Sequence, residues 1–581
     1  MNQGWRCSQW LFALFAAVYW LGGMHVFMHN PGGAGFYLPF NMLGWLFASL
    51  MIGVGLWHIT LTQQLVLSRA QLWMWLGLVV TLIPFFIHAD VPLDAGLPRF
   101  IGIAGGLLLL FSLSQLQLTR AQRFMLLYVL LGAVAIESIF ALVQYYLLPP
   151  GNWIGYNTLL NRPYGIFQQV NVLASFLAMG IGVALFLCWQ DPKLSVRNWR
   201  GWLCGGVLFA AVLLQLIIRS RAGMIGAGVE LLFFLPVLWL RRRSVCLWVI
   251  ACLSGVLVAE AMTLWLMGSG RTIEEMLKPQ VRTIYWAHSL DMVMRAPWFG
   301  WGYGKFESAF VNDYYAIPQT LSGVTRIEQN LDHPHNELIY WLVEGGLVAL
   351  IGLGLLAWGW MQMLRRQRKL IGVALFLLPF PLLFHAMVEY PFYHSTAHWL
   401  ALIWLLWFTD AESEQQTVMP LQNWLLLRAM AILIPLITVP FMLTGLHTSW
   451  LITQYERGGM KEPALLNKVI NPVPWYTRFM YDVISTRLVM ALESGNQSEL
   501  QAYVDWAKGF VNLTPRANVY FNAALALDAL GQHDEAIRWR AEGQRLFPAD
   551  PIFKPKPASA AVSVSGAAMS ASSPQAASSA H

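Results

Sequence analysis

VNVLASFLAMGIGVALFLCW, residues 170–189, decides the fold. The run carries no charge and supplies the roughly 20 apolar residues that an α-helix needs to cross about 30 Å of hydrocarbon. Stretches of the same kind recur near 9–29, 36–60, 72–88, 99–118, 124–148, 201–218, 222–240, 245–267, 338–361, 370–389, 395–409 and 423–447. Of 581 residues, 57% are hydrophobic and 12% charged, whereas a soluble domain is about a quarter charged. The chain therefore reads as an all-α polytopic membrane protein with about 12–13 transmembrane helices. MNQGWRCSQWLFALFAAVYWLGG, at the start, has an apolar run too long for a signal h-region and is expected to be a retained first helix. Cys7, Cys188, Cys204, Cys246 and Cys252 lie in or beside apolar segments without a CxxC pair, which argues against a disulfide framework or a thiolate zinc site.

Positive residues resist translocation and mark cytoplasmic loops. Arg120/Arg123, Lys193/Arg197/Arg200, Arg241/Arg242/Arg243 and Arg365/Arg366/Arg368/Lys369 all fall on the side of the N-terminus. That side is expected inside, so an odd number of spans places the loop at 268–337 and everything after about 448 outside. The layout is a membrane domain over 1–448 containing that loop, a helical region over 449–554, and an Ala/Ser-rich tail at 555–581 expected to be disordered. In the helical region, GQHDEAIRWRAEGQRLFP (531–548) resembles the second helix of a tetratricopeptide unit, after a helix carrying Tyr520, Ala523, Leu527 and Leu530. One such unit cannot bury its own apolar face, so packing on helices from 475–512 or on the membrane domain is expected.

Five polar stretches share the outer face: RPYGIFQQVN (162–171), IIRSRAG (217–223), the long loop with QVRTIYWAHSLDMVMRAPWFGWGYGKFE (280–307), LDHPHNELIYWLVEGGL (331–347) and VEYPFYHSTAHW (388–399). Arg219 and Arg221 break the charge rule. A lone arginine at an outer turn is explained by snorkelling, but two on one short turn favour an anion, because the planar guanidinium fork matches phosphate. Arg282 and Trp286, four apart, share a helix face. Gly300, Gly302 and Gly304 follow no strand and open no βαβ unit, so they read as a turn packed among aromatics and not as a nucleotide loop.

Pro334 is well tolerated in a first helical turn. A helix beginning there puts His335, Asn336 and Glu337 among unpartnered amides at the positive end of the helix dipole. Such an end attracts phosphate and keeps an imidazole neutral, able to accept a proton. Three readings remain open from the residues alone: a metal site of His333, His335 and Glu337, whose spacing matches no standard zinc pattern; a simple cap; or a catalytic and substrate-binding group. Glu137, Glu230 and Glu260 form no ladder of acids and are expected to bond neighbouring helices or face a cavity.

Taken in order, the Q-x-N turn after RPYG, R-S-R-A-G, R-x-x-x-W with GWGYG, and H-P-H-N-E opening a helix resemble the O-antigen ligase and polymerase superfamily. Within it, the chain is most similar to the bacterial protein O-oligosaccharyltransferases, the PglL-type pilin glycosylases. The resemblance implies a GT-C-like glycosyltransferase of the inner membrane, with its active site facing the periplasm. It would take an oligosaccharide en bloc from an undecaprenyl-diphosphate carrier and pass it to a Ser/Thr hydroxyl of an exported, pilin-like protein. Transfer to lipid A core, glycan polymerisation and, from another class, transport of an anionic lipid are the alternatives. No cofactor, metal or nucleic acid is expected. The resemblance assigns His335 as the catalytic histidine and Arg219, Arg221 and Arg282 as diphosphate-binding. Gln169, Asn171, His333, Asn336, Glu337 and Tyr393 are assigned as supporting residues, with His394 an alternative register for Tyr393. Val170 stands where the family often has proline between Gln169 and Asn171.

Overall fold

The computed structural model describes residues 6–88, 93–267, 282–316, 331–365, 367–413, 416–421 and 423–553. The Ala/Ser-rich tail, and 268–281 and 317–330 of the long loop, lie outside the described residues. The membrane helices are α1 (Cys7–Leu21), α2 (Pro39–Thr62), α3 (Arg69–Ile87), α4 (Leu93–Gln115), α5 (Arg120–Tyr146), α6 (Val170–Gln190), α7 (Trp199–Ile218), α8 (Arg221–Arg241) and α9 (Arg243–Met267). The long loop contributes α10 (Arg282–Arg295) and α11 (Phe306–Ala316). Next come α12 (Glu337–Leu364), α13 (Lys369–Leu377), α14 (Phe380–Ala386), the single turn α15 (Pro391–His394), α16 (Thr396–Glu412) and α17 (Leu425–Arg457). Among the described residues eleven helices are long and apolar enough to cross a membrane, or twelve where α13 and α14, bent by 48° at their junction, are counted as one span. α16 has 17 residues, fewer than any of the eleven, yet it is packed in the core. The protein is thus all-α and multi-pass, as its composition predicts.

Caps set the helix starts. Thr119 accepts the Gln122 amide, Gln169 that of Val172, Asn198 that of Gly201 and Ser220 that of Gly223, each satisfying a donor that the helix leaves unpaired. The opening stretch forms α6, the central helix. Some 94% of its apolar window is buried, against 11% for α17. A helix apolar all round belongs in such a centre, whereas α17 turns Leu436, Ile437 and Leu443 outward, as lipid contact permits.

Positive clusters gather at one end of the bundle. There Arg123 pairs with Glu412 (2.6 Å) and Arg200 with Asp191 (2.7 Å), and Arg242 donates to the carbonyls of Cys188 and Asp191 (both 2.9 Å). The same end holds an unexpected antiparallel ribbon of β1 (Gln64–Ser68) and β2 (Gln416–Pro420). Asp410 secures it, accepting from Ser68 and Gln71 (both 2.8 Å). Two of the three intramembrane acids have partners, as expected: Glu137 meets His25 (2.6 Å) and Glu260 lies 3.8 Å from Arg219. Glu230 is buried with no hydrogen-bond partner among the described residues.

α12 is broken where a continuous span is expected. Gly346 has φ 64° and ψ −162°, a region only glycine enters cheaply. The glycine-rich turn fills the break. Trp301 and Gly302 donate to the carbonyls of Val343 and Glu344 (2.8 and 2.9 Å), and Leu347 donates back to Pro297 (2.8 Å). The Glu344 carboxylate accepts the amides of Gly304 (2.9 Å) and Phe306 (3.1 Å). Gly300, Gly302 and Gly304 all take positive φ, which is why the turn is glycine-rich.

Beyond α17, α18 (Tyr476–Ser494), α19 (Gln497–Val511), α20 (Ala517–Ala529) and α21 (His533–Leu546) stack in sequence. Tyr520, Ala523 and Leu527 are buried between them, as their spacing predicts. This unit does not stand apart: it shares one apolar core with α10, α11 and the start of α12.

Candidate active site

The histidine segment does not begin a helix as the proline suggests. Asn336 is extended (φ −158°, ψ 118°) and its side chain accepts the Ile339 amide at 3.0 Å, so it is the cap and Glu337 the first helical residue. Pro334 and His335 precede the helix and are not in its first turn. His335 takes a left-handed φ of 54°, and its ring meets a residue 54 positions later. The Asn336 amide also donates to the carbonyl of Met387 (2.9 Å), tying the two segments together.

That distant residue is Glu389. His335 Nδ1 lies 2.8 Å from one carboxylate oxygen, Arg282 donates to the other, and His333 Nε2 stands 3.6 Å from the first. Burial works to raise the Glu389 carboxyl, but contact with His333, the hydrogen bond and charge of His335 and the charge of Arg282 outweigh it and hold it well below the usual carboxylate range. An ionised carboxylate only accepts. His335 therefore donates from Nδ1 to Glu389, and in its neutral form Nε2 is the basic nitrogen of the ring. Around this pair, Asp332 holds His333 Nδ1 at 2.6 Å, the Tyr285 ring stacks on His335 at 6.0 Å, and Trp286 donates to the carbonyl of Pro334 at 2.9 Å. Arg282 and Trp286 thus share one face of α10, as their spacing predicts.

At the start of α12, Glu337 accepts from Trp341, one turn on (2.7 Å), and from the Tyr393 hydroxyl (2.9 Å). His394 instead meets the carbonyl of Phe167 at 2.7 Å, so of the two neighbours Tyr393 faces the site. Beneath them Arg99 pairs with Glu344 (2.7 Å) inside a cage of Tyr340, Trp341, Tyr393 and Tyr303 rings, 4.4–5.4 Å from the guanidinium.

A second group sits at the heads of α6 and α8. Gln169 caps α6, and Asn171 accepts from Ser220 at 2.8 Å. Arg219 ends α7 in a left-handed turn and lies beside Glu260, not beside Glu389, while Arg221 opens α8. α14 links the two groups. It packs on α6 and α8, His385 meets Ser175 at 2.7 Å, and the chain then runs on to Glu389 in the direction in which α6 leads back to Asn171. Both groups therefore lie at the bundle end opposite the arginine-rich loops.

Sequence reading missed Glu389, Arg99 and Glu344. Each carried a signal: Glu389 is a charged residue among aromatics in VEYPFYH, and the other two are ionisable groups within apolar spans, which need partners. Among the described residues two sets of donors have spacing that would admit a cation, His333/His335/Glu389 and His288/Asp291/Asp313. Arginines already occupy the carboxylates, Arg282 on Glu389 and Arg295 on Asp291 (2.9 Å) and Asp313 (2.5 Å). A cation would have to displace them, so the first group fits acid–base work better than metal binding.

Comparison with known proteins follows the same order along the chain. A family model described as protein glycosylation ligase matches residues 163–187, one described as O-antigen ligase matches 205–354, and one described as virulence factor membrane-bound polymerase, C-terminal, matches 373–559. These three intervals contain both groups of polar residues. The general O-oligosaccharyltransferase of Acinetobacter baylyi is 25% identical over 411 residues, covering 65% of this chain and 68% of that protein. The chain is thus similar to the O-antigen ligase superfamily and, within it, to the protein O-oligosaccharyltransferases, and it is a glycosyl-transferring membrane enzyme.

Proposed function

We propose that the protein transfers an oligosaccharide en bloc from an undecaprenyl-diphosphate carrier to Ser/Thr hydroxyls of exported, pilin-like proteins at the periplasmic face of the inner membrane. The observation that carries the reading is the His335–Glu389–Arg282 group at the bundle end opposite the positive loops. His335 Nε2 takes the proton of the acceptor hydroxyl as its oxygen bonds to the anomeric carbon. The bond from that carbon to the diphosphate oxygen breaks. Charge then grows on the leaving diphosphate, where Arg219, Arg221 and the remaining donors of Arg282 stabilise it. Gln169, Asn171, His333, Asn336, Glu337 and Tyr393 are the supporting residues of this site.

The match to an O-antigen ligase model over the histidine segment favours a second reading, with lipid A core as acceptor. Purified enzyme given a defined lipid-linked oligosaccharide and a protein acceptor distinguishes them. Glycosylated protein is expected from the wild type, with a loss of about a hundredfold or more in His335→Ala, the range of a general base. Transfer to lipid A core alone would establish the second reading, and a fully active His335→Ala enzyme would sink both.

A further inference from the structure

The C-terminal helices share one apolar core with the described parts of the long loop. Phe306, Phe310 and Leu331 of the loop belong to the same buried cluster as Tyr503, Val519 and Ala523 of the C-terminal helices. At the edge of that cluster stands Arg516, the residue that precedes α20. Its guanidinium grips Glu307, in the first turn of α11, with both terminal nitrogens on the two carboxylate oxygens. Glu307 is buried. Burial raises its carboxyl, and Arg516 opposes that rise.

The same guanidinium acts on a second carboxylate. Partial loss of solvent, at a side chain still 55% exposed, would raise the Asp332 carboxyl, but the charge and hydrogen bond of His333, then the charges of Arg516 and His335, bring it below its usual range. Asp332 holds His333 at 2.6 Å, and His335 lies two residues on. One cation of the C-terminal helical region thus grips Glu307 of the loop, and its charge reaches Asp332, directly ahead of the HPHN segment. Exposed ion pairs contribute little. A largely desolvated one is different, because removing one partner leaves a buried charge uncompensated and its segment shifts to find water. The bidentate fork also fixes an angle as well as a distance. A sub-ångström shift in a positioned group is enough to lose rate.

We propose that Arg516 is a positioning residue of the transferase, holding the Asp332–His335 segment in register through its fork on Glu307 and the apolar core that Leu331 shares with the C-terminal helices, so that the C-terminal unit is a working part of the active site. This rests on the reading of His335 given above.

The test uses the full-length enzyme in lipid nanodiscs with a polyprenyl-diphosphate oligosaccharide and a protein acceptor, with rates expressed per monodisperse, folded enzyme. Arg516→Ala and Arg516→Gln should lower kcat about tenfold or more while KM for donor and acceptor each move by less than about threefold, the pattern of a lost transition-state interaction. Arg516→Lys, which keeps the charge, should recover most of the rate. If Arg516→Ala does not fold, the comparison of Lys with Gln at 516 still decides. The proposal is overturned if Arg516→Ala keeps kcat within about twofold of the wild type, if the loss lies wholly in the acceptor KM, or if Lys is no better than Gln. An active His335→Ala control sinks the site reading itself, whereas an inactive control beside an unaffected Arg516→Ala sinks the positioning role alone.

Discussion

Replacing Glu389 with glutamine isolates the group on which the proposed chemistry rests. In the native site one oxygen accepts from Arg282 and the other from His335 at 2.8 Å, with His333 at 3.6 Å. Glutamine offers one oxygen and one amino group, so either the guanidinium or the imidazole N–H must face another donor. A hydrogen bond to a charged group is worth about 1.5–3 kcal/mol, and each 1.36 kcal/mol is tenfold in rate. Glu389→Gln should therefore lower kcat by about ten- to 150-fold. The donor KM should stay level or fall, since Arg282 loses the carboxylate that competes with diphosphate. Initial rates with fluorescent lipid-linked oligosaccharide in nanodiscs measure both.

The pH behaviour supplies a second reading of the same variant. The Glu389 pKa is depressed by folding, so its ion pair contributes stability above the unfolded value near 4.3 and loses it as pH falls through the lower folded value. Wild type should lose melting temperature over that acid range more steeply than Glu389→Gln. A folded variant with kcat within about threefold of wild type would refute the reasoning, because no buried charged donor would then depend on the carboxylate.

Two further outcomes are expected. Burial and the charge of nearby Glu456 push the Asp482 carboxyl up to about 8. The folded chain then keeps a proton that the unfolded chain releases, so stability falls as pH rises from about 4 to about 8. Asp482→Asn should flatten that fall in melting temperature, and an unchanged slope would count against it. In a cysteine-free background, single cysteines at exposed Leu159 and Gln497 should react with an impermeant maleimide from the periplasm, while one at Arg197 should react only after permeabilisation. Labelling of 159 and 497 from opposite sides would end the proposed topology.

Apolar length and arginine placement are local properties, because the cost of putting charge or unpaired backbone in hydrocarbon acts on each segment by itself. From them the sequence alone determined the multi-pass helical class, nearly every span, and the short list of polar stretches that holds His335, Arg282 and Tyr393. Tertiary structure decided what those stretches touch. Pro334 is a sound local signal for a helix start, yet Asn336 wins the cap because its side chain also reaches Met387. GWGYG is legible as a turn, but its insertion into the break at Gly346 depends on backbone groups that α12 leaves open about forty residues away. Glu389 meets His335 across 54 positions, and Arg516 meets Glu307 across 209. Such pairings follow from how whole helices pack, and no local pattern of residues encodes them.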